Sequence, residues 1–97
     1  MKPLLDLNNP IFQQDLFALA KQEQQALLKT LKKISRLEWE QVYRDPGLKW
    51  EHIHSRKGPQ GEKLYSFRIT QKCRAVAYRT EDWLRILSLH PDHDSAY

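Results

Sequence analysis

The 97-residue chain contains a single cysteine, and none of its apolar runs approaches the ~20 residues that a helix needs to span a bilayer. A lone Cys73 excludes an intramolecular disulfide and a zinc site built on several cysteines. Its segment, KCRAVAY, favours a buried, small apolar side chain. The N-terminal MKPLLDLNNP, with an early Asp6, is a poor signal peptide. We therefore expect a soluble protein of the reducing cytoplasm, without a membrane partner.

The chain also lacks internal repeats, low-complexity segments and any linker that could separate two domains. Its length allows one modest core, so residues 1–97 are expected to form a single domain. The formal net charge is +4, and the positive residues are spread over LKTLKKISR, SRKGPQGEK and FRITQKCRAVAYR. This charge suits a surface that meets phosphates or an acidic protein.

The period of the apolar residues changes near residue 46, from helical to alternating. Asn9 and Pro10 predict a helix start, and EQQALLKTLKKIS predicts a second helix with one apolar stripe. Ser35 and Glu38 have the spacing of a capping box that would open a third helix through LEWEQVYR. The sequence Asp-Pro-Gly that follows should end it.

Four segments after residue 46 are rich in β-branched and aromatic residues and are separated by short turns: LKWEHIHS, KLYSFRIT, RAVAYR and WLRILSLH. Short connections between successive strands predict an antiparallel meander. The predicted fold is therefore α+β, with two to three N-terminal helices packed on one face of a four-stranded antiparallel sheet. The other face of the sheet should be open.

Two arginines are predicted to lie on that open face. Strand alternation places Arg68 on the side of Leu64 and Ser66, and it places Arg74 on the side of Val76. A mid-strand arginine is unusual unless it is solvated, paired with a carboxylate or able to bind an anion. The residues alone leave these three alternatives open.

The C-terminal segment HPDHDSAY carries further polar groups. A metal site would draw on His90, Asp92, His93 and Asp94, but Pro91 prevents the regular helical spacing that collects ligands on one face. No distant cysteine or acidic cluster completes such a set, so we expect no metal and no other cofactor. His90 ends an apolar strand, which favours a structural role. The first-strand residues His52 and His54 are expected to be solvated.

The segment LYSFRITQKCRAVAY, followed by an apolar strand and a short tail that ends in an aromatic residue, resembles the RelE/ParE superfamily of bacterial toxins. The resemblance covers mainly residues 47–97. It implies a small basic toxin that is encoded beside an antitoxin. The RelE-like branch cleaves mRNA, usually on the ribosome and without metal, whereas the ParE-like branch inhibits DNA gyrase and is not a nuclease.

The resemblance also implies roles for individual residues. Arg68 falls where YoeB-like members carry a catalytic arginine, and Arg74 falls where RelE-like members carry an arginine on the following strand. Tyr97 matches the C-terminal tyrosine of RelE, and His93 matches a histidine near the end of YafQ. The lysine pair that RelE carries before this strand is not reproduced. The nearest candidates for binding RNA are Lys49, Lys57 and Lys63.

Metal-free RNA cleavage needs a base, an acid and cations that stabilise the phosphorane. His93 can act as either acid or base, and its neighbours Asp92 and Asp94 favour the protonated imidazole and hence the acid role. The predicted function is a toxin of a type II toxin–antitoxin system that cleaves mRNA on the ribosome, with a cognate acidic antitoxin as partner. The alternatives are a ParE-like gyrase inhibitor and an inactive RNA- or ribosome-binding relative.

Overall fold

The computed structural model describes residues 1–91 and contains three helices and one five-stranded mixed sheet. The elements in chain order are β1 (Leu4–Asp6), α1 (Pro10–Ala18), α2 (Lys21–Arg36), α3 (Trp39–Arg44), β2 (Glu51–Lys57), β3 (Lys63–Arg68), β4 (Arg74–Thr80) and β5 (Trp83–His90). The strand order is β1-β5-β4-β3-β2. No helix in this part of the chain is long and apolar enough to cross a membrane.

The α+β class is confirmed, but the predicted sheet lacked one strand. β1 pairs in parallel with β5, with Leu4 opposite Trp83 and Asp6 opposite Arg85. An ion pair between the Asp6 carboxylate and the Arg85 guanidinium holds the end of this pairing. Three residues are too few for an alternating pattern to register, which is why the sequence did not reveal β1.

Capping residues mark the first turns of α1 and α3. Asn9 Oδ1 accepts hydrogen bonds from the backbone N–H groups of Ile11 and Phe12, and a proline follows at the first helical position. The capping box of α3 is formed by Glu38 and Gln41. The predicted pair that began at Ser35 was wrong, because Ser35 lies inside α2 and its hydroxyl donates to the Lys32 carbonyl.

The main core lies between the helices and one face of the sheet. Its buried members include Phe12, Leu27, Leu31, Ile34, Val42, Phe67, Ala75, Ala77, Leu84 and Ile86. Each fully buried large aliphatic or aromatic side chain contributes about 1.5–3 kcal/mol relative to its exposure. Cys73 is buried in this core, as predicted, and burial raises the pKa of its thiol to about 11.

The second face of the sheet carries a smaller apolar cluster of Ile53, Leu64 and Val76, joined by Tyr78 and Leu87. No helix among residues 1–91 contributes to this cluster. We call this side of the sheet the open face. Toward the end of β3 and the start of β4, the open face carries polar side chains.

Candidate functional site on the open face

A β-bulge in β5 determines which side chains of that strand reach the open face. Ile86 pairs with Ala77, but Ser88 pairs with Val76, so Leu87 is an extra residue between two ladder positions. Strict alternation from Leu84 and Ile86 would direct Ser88 and His90 into the helix-facing core. The bulge reverses this order and directs both side chains to the open face.

Arg74 lies on the same face but is only 1% exposed. Its Nε and Nη2 donate to the Ser66 hydroxyl at 3.1 and 2.9 Å, and Nη2 also donates to the Lys49 carbonyl at 2.7 Å. These bonds offset part of the cost of burying a guanidinium. Direct contact with a large ligand would require Arg74 to leave these partners.

Arg68 is paired directly opposite Arg74 across β3 and β4. Its side chain is partly exposed, and within residues 1–91 no hydrogen bond or ion pair engages its guanidinium. Its backbone N–H donates to the Leu48 carbonyl at 2.7 Å, which fixes the strand end. Arg68 therefore presents a planar set of donors on a rigid strand, as binding of a phosphate requires.

His90 is paired with Arg74 on the neighbouring strand, and its Nε2 lies 2.9 Å from the Ser88 hydroxyl. Partial burial and the positive charge of Arg56 lower the pKa of the imidazole, whereas Asp15 acts in the opposite direction. The neutral imidazole is therefore the favoured form at pH 7. The sequence did not single out His90 as functional, because its strand position follows from the bulge.

A shallow cavity of about 310 Å³ adjoins this group of residues. Arg56 and Lys57 line it together with Leu64, Leu87 and Ser88. It therefore combines two cations with an apolar floor, which suits a ligand with both phosphate and flat apolar parts.

No family model and no curated protein matches the sequence. A chain of the archaeal RelE-RelB complex from Pyrococcus horikoshii OT3 superposes with a TM-score of 0.61 at 17% identity, covering 93% of this chain and 92% of that one. This protein has a RelE-like fold.

A second solved structure also superposes on this chain. A copper-bound mutant toxin from Helicobacter pylori superposes with a TM-score of 0.52 at 20% identity, covering 100% of this chain and 99% of that chain. Within residues 1–91 of the present chain, no three His, Cys, Asp or Glu side chains are placed to share a metal ion. The likeness to these two proteins concerns the fold.

The three predicted RNA-binding lysines occupy different places in this RelE-like fold. Lys57 lines the cavity of the open face. Lys63 lies on the helix-facing side, since alternation puts it with Tyr65, and its charge acts on His52. Lys49 is exposed at a backbone φ of 47°, and the bond from Arg74 to its carbonyl holds this turn in place.

Four residues considered in the sequence analysis remain. His93 and Tyr97 lie outside the described residues. His52 and His54 lie on the helix-facing side of β2, where their ring centroids are 4.0 Å apart and His52 contacts Tyr65. Glu51, which sequence reasoning passed over, pairs with Ser66 and brings a carboxylate to the open face.

Proposed function

We propose that this protein is the toxin of a toxin–antitoxin pair and a metal-independent endoribonuclease that cleaves mRNA on the ribosome. The observation that carries the proposal is Arg68, a guanidinium on the open face of a RelE-like fold that no hydrogen-bond or ion-pair partner among residues 1–91 engages. Sheet faces of this kind expose a large, rigid surface on which an RNA strand can lie. The RelE-RelB complex supports the pairing with an antitoxin.

The chemistry that fits this face is attack of a ribose 2′-hydroxyl on the adjacent phosphate. The 2′-oxygen bonds to phosphorus, the bond from phosphorus to the 5′-oxygen breaks, and a base and an acid move one proton each. Arg68 donates to the non-bridging oxygens and stabilises the charge that develops on them. Products are a 2′,3′-cyclic phosphate and a free 5′-hydroxyl.

The other residues have supporting roles in this scheme. Arg74 supplies positive charge from beneath the surface and keeps the Ser66 hydroxyl and the Lys49 turn in place. Lys57 binds phosphates along the strand, and Lys49 and Lys63 bind flanking RNA. In the C-terminal tail, His93 protonates the leaving 5′-oxygen, and Tyr97 donates a hydrogen bond or stacks on a base.

The partner that inhibits the toxin is an acidic antitoxin segment that covers the open face. The charges that favour it are the cations Arg56, Lys57 and Arg68. The protein should copurify with a short acidic chain encoded by a neighbouring gene. Undiminished toxicity in the presence of every neighbouring gene product would argue against this partner.

Inducible expression in a bacterium, with transcripts mapped for new 5′ ends, tests the function. New ends inside translated codons are the expected result. DNA breaks and filamentation with intact mRNA would instead support inhibition of gyrase. Ribosome association without toxicity or new ends would indicate an inactive relative.

A further inference from the structure

We propose that His90 is the general base that accepts the proton of the attacking 2′-hydroxyl. This proposal rests on the nuclease function above. It gives a catalytic role to a residue for which the sequence favoured a structural role. It requires three conditions: the imidazole must reach the open face, it must be unprotonated at neutral pH, and it must lie beside the cations that bind the phosphate.

The backbone of β5 meets the first condition. Leu89 belongs to the helix-facing core and Leu87 to the open-face cluster, so His90, next after Leu89, is directed to the open side. The bulge at Leu87 is the cause, because an uninterrupted strand would give His90 the orientation of Ile86. Bulges that redirect one side chain are frequent beside active sites.

The charges around His90 meet the second condition. Arg74 faces it from β4, Arg56 approaches from β2, and Asp15 approaches from α1. The Asp15 carboxylate already accepts a hydrogen bond from the backbone N–H of Leu89 at 3.0 Å. Burial and the Arg56 charge outweigh Asp15, so the pKa of His90 is lowered. A base must be unprotonated at the start of the reaction, and this environment keeps it so.

The register of the sheet meets the third condition. His90 is opposite Arg74, and Arg74 is opposite Arg68, so the three residues form one row across β5, β4 and β3. β3 and β5 are about 10 Å apart, so a nucleotide whose phosphate is bound by Arg68 can extend across β4 and place its ribose toward the imidazole. The Ser88 hydroxyl, 2.9 Å from Nε2, orients the ring within this row.

Both proton transfers of the step have a donor and an acceptor without a cofactor. His90 gains the proton of the 2′-hydroxyl as the 2′-oxygen bonds to phosphorus. The electron pair of the broken bond stays on the 5′-oxygen, which takes a proton from a separate acid, for which His93 is proposed. The base and the acid are therefore different residues, and their variants should respond differently to the chemistry of the leaving group.

The test is single-turnover cleavage of mRNA, free or on programmed ribosomes, by the full chain across pH 5–9. His90→Gln should lower the rate at pH 7 by about 10²–10⁴-fold and remove the fall in rate at low pH. His54→Gln, an exposed residue on the other face, should behave as the parent. Glu51→Gln tests the competing carboxylate of the open face and should keep the acidic fall in rate.

A second substrate distinguishes the general base from the general acid. Sulfur in place of the scissile 5′-oxygen leaves as a thiolate and needs no proton, so it should restore His93→Gln but leave His90→Gln slow. NMR titration of the parent should give His90 a pKa that matches the acidic limb of the rate profile, a measurement that does not depend on whether the variant folds.

The outcomes separate the two proposals. A parent that cleaves no RNA under either condition overturns the nuclease function itself. If the parent cleaves RNA, three results would overturn only the assignment of His90. Folded His90→Gln could cleave as fast as the parent, the sulfur substrate could restore its rate, or the acidic fall in rate could disappear in Glu51→Gln instead. A merely structural His90 would alter stability but leave the pH profile unchanged.

Discussion

Arg68 and Arg74 are paired directly across β3 and β4, yet only Arg68 leaves its guanidinium partly open to solvent. Arg74 is 1% exposed, and its donors engage Ser66 and the Lys49 carbonyl. Two arginines that a sequence pattern places side by side are thus divided between a surface role and a buried role. The division predicts opposite consequences for their substitution.

Arg68→Ala should abolish toxicity and slow RNA cleavage by about 10²–10³-fold, the usual effect of removing one preorganised donor to a transition state. Its free energy of unfolding should change by less than about 0.5 kcal/mol, because the side chain has no hydrogen bond or ion pair to lose within residues 1–91. Growth after induction and urea denaturation measure the two effects. Arg36→Ala, on the exposed side of α2, is the matched control and should stay toxic. Full toxicity of folded Arg68→Ala would refute its assigned role.

Arg74→Ala should destabilise the fold by about 2–4 kcal/mol, because it leaves a cavity and removes the hydrogen bonds that the guanidinium donates to the Ser66 hydroxyl and the Lys49 carbonyl. Ser66→Ala removes a smaller group and should cost about 1–2 kcal/mol. Urea denaturation of both variants checks this order. An Arg74→Ala protein as stable as the parent but inactive would mean that Arg74 contacts the RNA directly.

The sequence predicted the helices, four of the strands and the α+β class, because apolar periodicity and turn residues carry that information. β1 was missed since three residues show no period, and its pairing with β5 depends on residues about 80 positions away. The orientation of His90 could not be predicted either, because one extra residue at Leu87 reverses the side of the sheet to which each following side chain is directed. Nor does a pattern of alternation distinguish the buried Arg74 from the partly exposed Arg68.

The stability of the protein should fall as pH decreases below about 6.5, in part because of His90. Its pKa is lowered in the folded chain, so the unfolded chain binds more protons in this range, and acidification favours unfolding. His90→Gln should show a shallower loss between pH 6.5 and 5 in thermal unfolding. His52, whose pKa is also lowered, accounts for a remaining slope. Identical pH dependence of parent and variant would contradict the environment described for His90.

Removal of residues 93–97 should abolish cleavage and change stability little, because a terminal segment contributes few core contacts. His93→Gln should reproduce most of this loss, whereas His52→Gln should not. Cleavage assays and thermal unfolding of the shortened chain provide the measurement. A shortened chain that cleaves as well as the parent would remove the tail from the mechanism.

The chemistry of the RNA ends tests the central claim most directly. Purified protein is incubated with mRNA-programmed ribosomes, and the new termini are analysed. An acid–base reaction by the 2′-hydroxyl predicts a 5′-hydroxyl on one fragment and a 2′,3′-cyclic phosphate on the other, and Arg68→Ala should form both about 10²–10³-fold more slowly. Intact mRNA, or fragments that carry 5′-phosphates, would contradict the account.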